Sequence, residues 1–243
     1  MDLFDNHQRE FTISPECPWY EAQQAYGAPN VNWCESTICS YINEPANTWS
    51  NLGYIIVAIL IFRKYKSSLM KIFSLSVFLV GFLSGLYHAT NNYLTQFIDI
   101  IAMGGIGSVL LALSVTRLLY GNTQSFYSWF WFILFANTFT LMVFDIINLP
   151  LQLTVIIHFV LFLVAELLNS YKDKDIVEYK WFILGMMVLV VGQISTQMDL
   201  KRIYCQEENL FLHGHVLWHL LGALSLYFMA FHVQYSLDRS QES

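Results

Sequence analysis

The chain has 243 residues, of which 56% are hydrophobic and only 12% charged, and its mean hydropathy is +0.46. A soluble domain carries about twice that share of charge, so the composition excludes one and implies a polytopic membrane protein. The formal charge of -6, with no basic tract anywhere, excludes nucleic acid as a partner.

Residues 1–46 are polar and aromatic, too hydrophilic for a cleavable signal peptide, so the first apolar run is expected to serve as the insertion signal. Seven apolar runs follow, at 47–63, 71–90, 95–118, 126–146, 149–169, 180–198 and 211–233. Each is long enough to cross a bilayer as a helix. The second and third are joined by the short turn Asn91-Asn92-Tyr93-Leu94, and the fourth and fifth meet near Asn148-Leu149-Pro150. No internal repeat, low-complexity linker or second domain is visible. The expected fold is an all-α, seven-transmembrane helix bundle at 47–233, with an extramembrane segment at 1–46 and a tail at 234–243.

Lys and Arg give the orientation. With the N-terminus outside, the inner loops carry Arg63, Lys64, Lys66, Lys71, Arg117, Lys172, Lys174, Lys180 and Arg239, against Arg9, Lys201 and Arg202 on the outer side. That asymmetry predicts N-out, C-in topology and a cytoplasmic tail. Cys17, Cys34, Cys39 and Cys205 all fall in the outer segments, which suits an oxidising face and disulfides there. Four cysteines allow three pairings, and spacing does not choose among them.

Five residues stand out against the apolar background: Ser84, His88, Asp99, His215 and His219. Ionisable groups inside such segments are expensive and need a reason to persist. Ser84 and His88 are four residues apart and share a helix face, and His215 and His219 repeat that spacing on the last run. With N-out topology all five lie in the outer half of the bilayer, so three separate spans deliver polar groups to one depth. Three imidazoles leave a tetrahedral zinc one open position, and a nearby carboxylate completes a metal-dependent hydrolase.

Other readings compete for single residues. His7, His158, His213 and His232 read as interfacial or carbonyl-bonded histidines, and Ser84 alone as a helix serine bonded to the preceding turn. Asp145 supports the site or is interfacial, and Glu166 is an inner-boundary residue. A lone His-x3-His pair also suits haem, but haem gives Ser84 and Asp99 no role.

The set Ser84-x3-His88, Asp99, His215-x3-His219 resembles the seven-span hydrolase superfamily that includes alkaline ceramidases and adiponectin-type receptors. Asn32-Trp33-Cys34-Glu35, followed by Asn43-Glu44-Pro45-Ala46-Asn47-Thr48-Trp49-Ser50-Asn51, resembles the alkaline ceramidase signature in particular. The blocks His88-Ala89-Thr90, Gln96-Phe97-Ile98-Asp99 and Trp218-His219-Leu220-Leu221 resemble the rest, so the likeness covers nearly the whole chain in order.

The resemblance implies zinc held by His88, His215 and His219, with Ser84 and Asp99 lining the reacting centre. It also implies calcium on the N-terminal segment, with Glu35 and Glu44 as carboxylates and Trp33 offering a backbone carbonyl. Asn32 stands where the family has an aspartate, Thr37 near the place of an asparagine, and the stretch to Glu44 is shorter. Losing a carboxylate weakens a calcium site. For the cysteines the resemblance implies Cys34 with Cys205, leaving Cys17 for Cys39, a tie that would clamp the N-terminal segment over the site. The implied substrate is the membrane lipid ceramide, cleaved to sphingoid base and fatty acid, with no protein partner. A receptor-like protein and a lipid esterase are the rival readings within the superfamily.

In such a hydrolase zinc polarises the acyl oxygen and activates water. Asp99 is placed to shuttle the proton. Ser84 either donates to the oxyanion or orients a zinc ligand. Gly104, Gly105 and Gly107 either leave room for a lipid chain or serve close helix packing. Trp19, Tyr20 and Tyr26 touch the headgroup or anchor the segment at the interface.

Overall fold

A computed structural model describes residues 13–120, 124–173, 179–203 and 205–242. His7, Arg9 and Lys174, used in the reading above, lie outside the described residues. Among those described, the regular secondary structure is all helical, with no strand. A short helix, α1 (Tyr20–Tyr26), precedes α2 (Pro45–Ser50) and α3 (Leu52–Lys64), which run on from each other. There follow α4 (Ser68–Thr90), α5 (Tyr93–Tyr120), α6 (Phe126–Ile146), α7 (Gln152–Asp173), α8 (Lys180–Leu200) and α9 (Gly214–Glu242). Seven segments are long and apolar enough to cross a membrane: Pro45–Lys64, and one on each of α4 to α9. All seven expected spans are present.

The edges move for local reasons. Pro150 and the left-handed Asn148 delay the fifth helix to Gln152. The last helix starts at Gly214 and continues to Glu242, so residues 234–242 are helical.

The α4–α5 turn is the local feature that matters most for the site. Asn91 closes α4 with φ 44°, a left-handed conformation that Asn tolerates, and its N–H bonds the Tyr87 carbonyl at 2.7 Å. The Asn92 side chain then accepts from the Thr95 N–H at 3.1 Å, capping α5. So tight a turn brings the last turn of α4 and the first turns of α5 to one level.

At the centre of the bundle, α5 packs against α4, α6 and α7, while α9 packs against α8, α3 and α4. Buried Ile61, Phe73, Val77, Val109 and Phe126 belong to the shared core. On α6, Trp131, Phe132, Phe135 and Phe139 face outward as a lipid-contacting surface.

The N-terminal segment is fastened over one end of this bundle. Disulfides join Cys17 to Cys39 and Cys34 to Cys205. Ser36 bonds the Glu207 carbonyl through its N–H and its hydroxyl, at 3.1 and 3.0 Å. Gln23 donates to the Asn91 carbonyl at 2.5 Å.

Candidate metal centre

His88 ends α4, and His215 and His219 occupy the first turns of α9, beneath the fastened segment. All three are buried. Nε2 of His88 and Nε2 of His215 are 3.2 Å apart. One ring nitrogen from each histidine falls within 4.8 Å of the other two. The remaining nitrogens explain the orientation. Nδ1 of His88 meets Glu44 Oε2 at 2.6 Å, Nδ1 of His215 meets Thr196 Oγ1 at 3.0 Å, and Nδ1 of His219 meets Ser50 Oγ at 2.7 Å. Ser50 gives its own proton to the Asn47 carbonyl at 2.9 Å, so its oxygen is left to accept from His219. Each Nδ1 is thus held by an oxygen, which leaves each Nε2 as the nitrogen available to an ion. Metal-binding histidines are oriented in this way, so the residues fit a three-nitrogen ion such as zinc.

Ser84 and Asp99 are buried at the same end of the bundle. The Ser84 side chain hydrogen-bonds Asp99, while Asp99 Oδ1 has no partner among the described residues. Ser84 is therefore engaged with the carboxyl group, a role that neither of its two expected ones included.

Trp33 and Asp199 flank His215. The Trp33 ring stacks on His215 with centroids 3.4 Å apart, and its N–H reaches the Tyr87 hydroxyl at 3.3 Å. Asp199, at the end of α8, accepts from the Cys34 N–H at 2.7 Å and the His215 N–H at 2.9 Å. Cys34, Asp199 and His213 also cluster closely enough to suggest a second metal group. The Cys34 sulfur is committed to its disulfide, which removes that group as a metal site.

Most of the side chains expected to bind calcium already have partners within the protein. Both Glu35 oxygens accept backbone N–H groups, from Ala46 at 2.7 Å and Asn47 at 2.8 Å, and so cap α2. Glu44 Oε2 is shared by His88 Nδ1 and the Asn47 side chain, the latter at 3.1 Å. Asn32 is exposed, and the Thr37 hydroxyl accepts from Asn91 at 3.0 Å. Burial pushes the Glu35 carboxyl up to about 7, against the pull of its two N–H donors. Burial likewise raises Glu44 to about 8, opposed by the Asn47 bond.

Below the histidines runs an apolar cavity of about 350 Å³, lined by residues of α3, α4, α5, α7, α8 and α9. Gly107 lines it, whereas at Gly104 a Cβ would collide with Asn137 of α6, so that glycine serves helix packing. Gly105 has nothing within 4 Å of its Cβ position.

Beyond the cavity, at the end away from the histidines, Glu166 is buried and accepts from Ser114 at 2.5 Å. It also meets Arg117 at 3.3 Å and His232 at 3.0 Å. Glu166 is therefore the centre of an internal ionic cluster rather than a boundary residue. Among the other histidines, His158 bonds the Thr154 carbonyl and His213 the Asn209 carbonyl. Asp145 accepts from Tyr93 at the end of α6 and takes no part in the centre. Sequence reasoning passed over Ser50, Thr196 and Asp199. Their signal was present as polar residues within or at the ends of apolar runs, but their partners lie far along the chain.

Fold and site together define a seven-span helical membrane protein with a buried three-histidine centre at one end of the bundle. Residues 26–243 match the family model described as Ceramidase, and the chain belongs to that family. No curated protein matches it. Membership supports ceramide hydrolysis as the general function, an amidase reaction on a lipid.

Proposed function

We propose that this chain is an intramembrane zinc-dependent amidase that cleaves the N-acyl bond of ceramide-class lipids. The observation that carries the reading is the convergence of three buried imidazole nitrogens whose opposite ring nitrogens are held by Glu44, Thr196 and Ser50. His88, His215 and His219 would hold the ion, which when bound supplies a Lewis acid for the acyl oxygen and makes water nucleophilic near neutral pH.

Asp99 moves the proton. Its unpartnered Oδ1 accepts from the attacking water and returns the proton to the leaving nitrogen, work worth about 10²–10⁴-fold. Ser84 fixes the other side of that carboxyl group. Trp33 and the disulfide-tied segment around Cys34 keep bulk water from the histidines. One lipid chain occupies the apolar cavity, whose volume lies in the range of ligand sites. The Lys and Arg asymmetry supports an N-terminus and a histidine end on the outer face of the membrane.

The deciding experiment pairs metal content by mass spectrometry on detergent-purified protein with release of fatty acid from ceramide. About one zinc per chain together with release is expected. Absence of zinc overturns the reading, and zinc without release moves it to a receptor or an esterase.

A further inference from the structure

Tyr54 of α3 stands where the histidine centre meets the cavity. It is 5% exposed and lines the cavity beside Trp218 and Gly222 of α9. Its ring meets His219 edge-on, with centroids 6.4 Å apart. Two glycines shape the slot that it fills. A Cβ at Gly81 would lie 2.7 Å from the Tyr54 Cβ, and one at Gly222 would collide with the hydroxyl itself. The ring is therefore fixed at both ends.

Tyr54 lines the cavity wall, and its hydroxyl has no hydrogen-bond partner among the described residues. Asp99 Oδ1 is unpartnered as well. Buried tyrosine hydroxyls normally find a partner, and an unmade bond of this kind costs stability. An unpaired phenol on the cavity wall, together with the unpartnered Asp99 oxygen, points to a polar group of the ligand.

We propose that Tyr54 is a specificity residue whose hydroxyl bonds a secondary hydroxyl carried close to the scissile amide. The proposal rests on the amidase reading above. The histidines and Asp99 take the amide carbonyl and nitrogen, whereas Tyr54 lies one helical turn further, at Gly222, where the lipid chain enters the cavity. The first carbons of that chain pass its hydroxyl. A methylene there leaves the phenol unpaired and a hydroxyl pairs it, which is how a polar site rejects an analogue lacking the group. Such a hydroxyl has two sources: the sphingoid carbon next to the one bearing nitrogen, or the acyl carbon next to the carbonyl.

The test compares wild type with Tyr54→Phe on three lipids: an N-acyl sphingoid base, its analogue without the sphingoid secondary hydroxyl, and its analogue with an added acyl 2-hydroxyl. Both kcat/KM and dissociation constants are measured. Wild type is expected to favour a hydroxylated lipid about tenfold, and Tyr54→Phe to bring that ratio close to one. Collapse of the sphingoid ratio identifies the base as the source, and collapse of the acyl ratio identifies the fatty acid. Ratios unchanged by the substitution, or a wild type without preference, overturn the proposal. If wild type hydrolyses none of the three, the amidase reading fails and the dissociation constants alone decide the role of Tyr54. Should Tyr54→Phe not fold, Gly222→Ala, which drives a methyl group into the hydroxyl, must abolish the same preference.

Discussion

Glu44 Oε2 lies 2.6 Å from Nδ1 of His88, and both side chains are buried. The contact joins the residue just before α2 to the last turn of α4, across 44 positions of sequence. It fixes the ring plane of His88 and directs Nε2 toward His215. Glu44 therefore acts on the histidine centre.

Removing that support is expected to weaken metal binding without abolishing it. Glu44→Gln keeps the shape and loses the charge, and disturbing a partner of a metal-binding histidine typically costs about 10–100-fold in affinity. Titration of metal-stripped protein with zinc against a competing chelator measures this. Affinity equal to wild type would return Glu44 to a purely structural role.

Asp99→Asn separates chemistry from metal binding. Asp99 is attached to Ser84 and not to any of the three Nδ1 atoms, so zinc content is expected to stay near wild type. Turnover is expected to fall about 10²–10⁴-fold, because an amide cannot shuttle a proton. Near-normal turnover would remove Asp99 as the proton carrier, and loss of zinc would make it part of the metal site.

Asp199 ties three parts of the chain together and is expected to be a stability residue. Its two oxygens accept the N–H groups of Cys34 and His215, from the N-terminal segment and the start of α9. Asp199→Ala leaves two buried donors unmet, at a cost of about 1–3 kcal/mol each. Thermal unfolding in detergent is expected to show a lowered midpoint even when metal has been removed. A midpoint that drops only in the metal-loaded protein would mean that Asp199 acts through His215 alone.

How much of this could be read beforehand follows from where each signal sits. The seven spans are legible because each is a continuous apolar run, and their edges are not, because Pro150 and Gly214 act through local backbone geometry. Ser84, His88, Asp99, His215 and His219 are legible because polar groups are conspicuous and costly in such runs. Thr196 and Ser50 are not, since a hydroxyl in a helix usually bonds its own preceding turn. Only packing reveals that they face His215 and His219. Glu166 and His232 lie 66 residues apart, and their pairing depends on α7 and α9 meeting across the bundle. Tyr54 reads in sequence as one more aromatic of an apolar span.

The far end of the cavity yields a prediction about chain length. Leu110, Phe162, Met186 and Met229 line its lower part, and about one helical turn beyond them lie Ser114, Glu166 and His232. An acyl chain that outgrew the apolar part would press its end against the Arg117–Glu166–His232 cluster and desolvate it. Met229 is 2% exposed, with its methyl end packed toward Gly185. Met229→Ala vacates room for about three methylene groups at that floor. Assayed on a ladder of ceramides differing only in acyl length, the variant is expected to shift its optimum to longer chains while retaining zinc. A uniform loss across the ladder would show only damaged packing, and an unchanged optimum would mean that the chain whose length is being varied lies elsewhere.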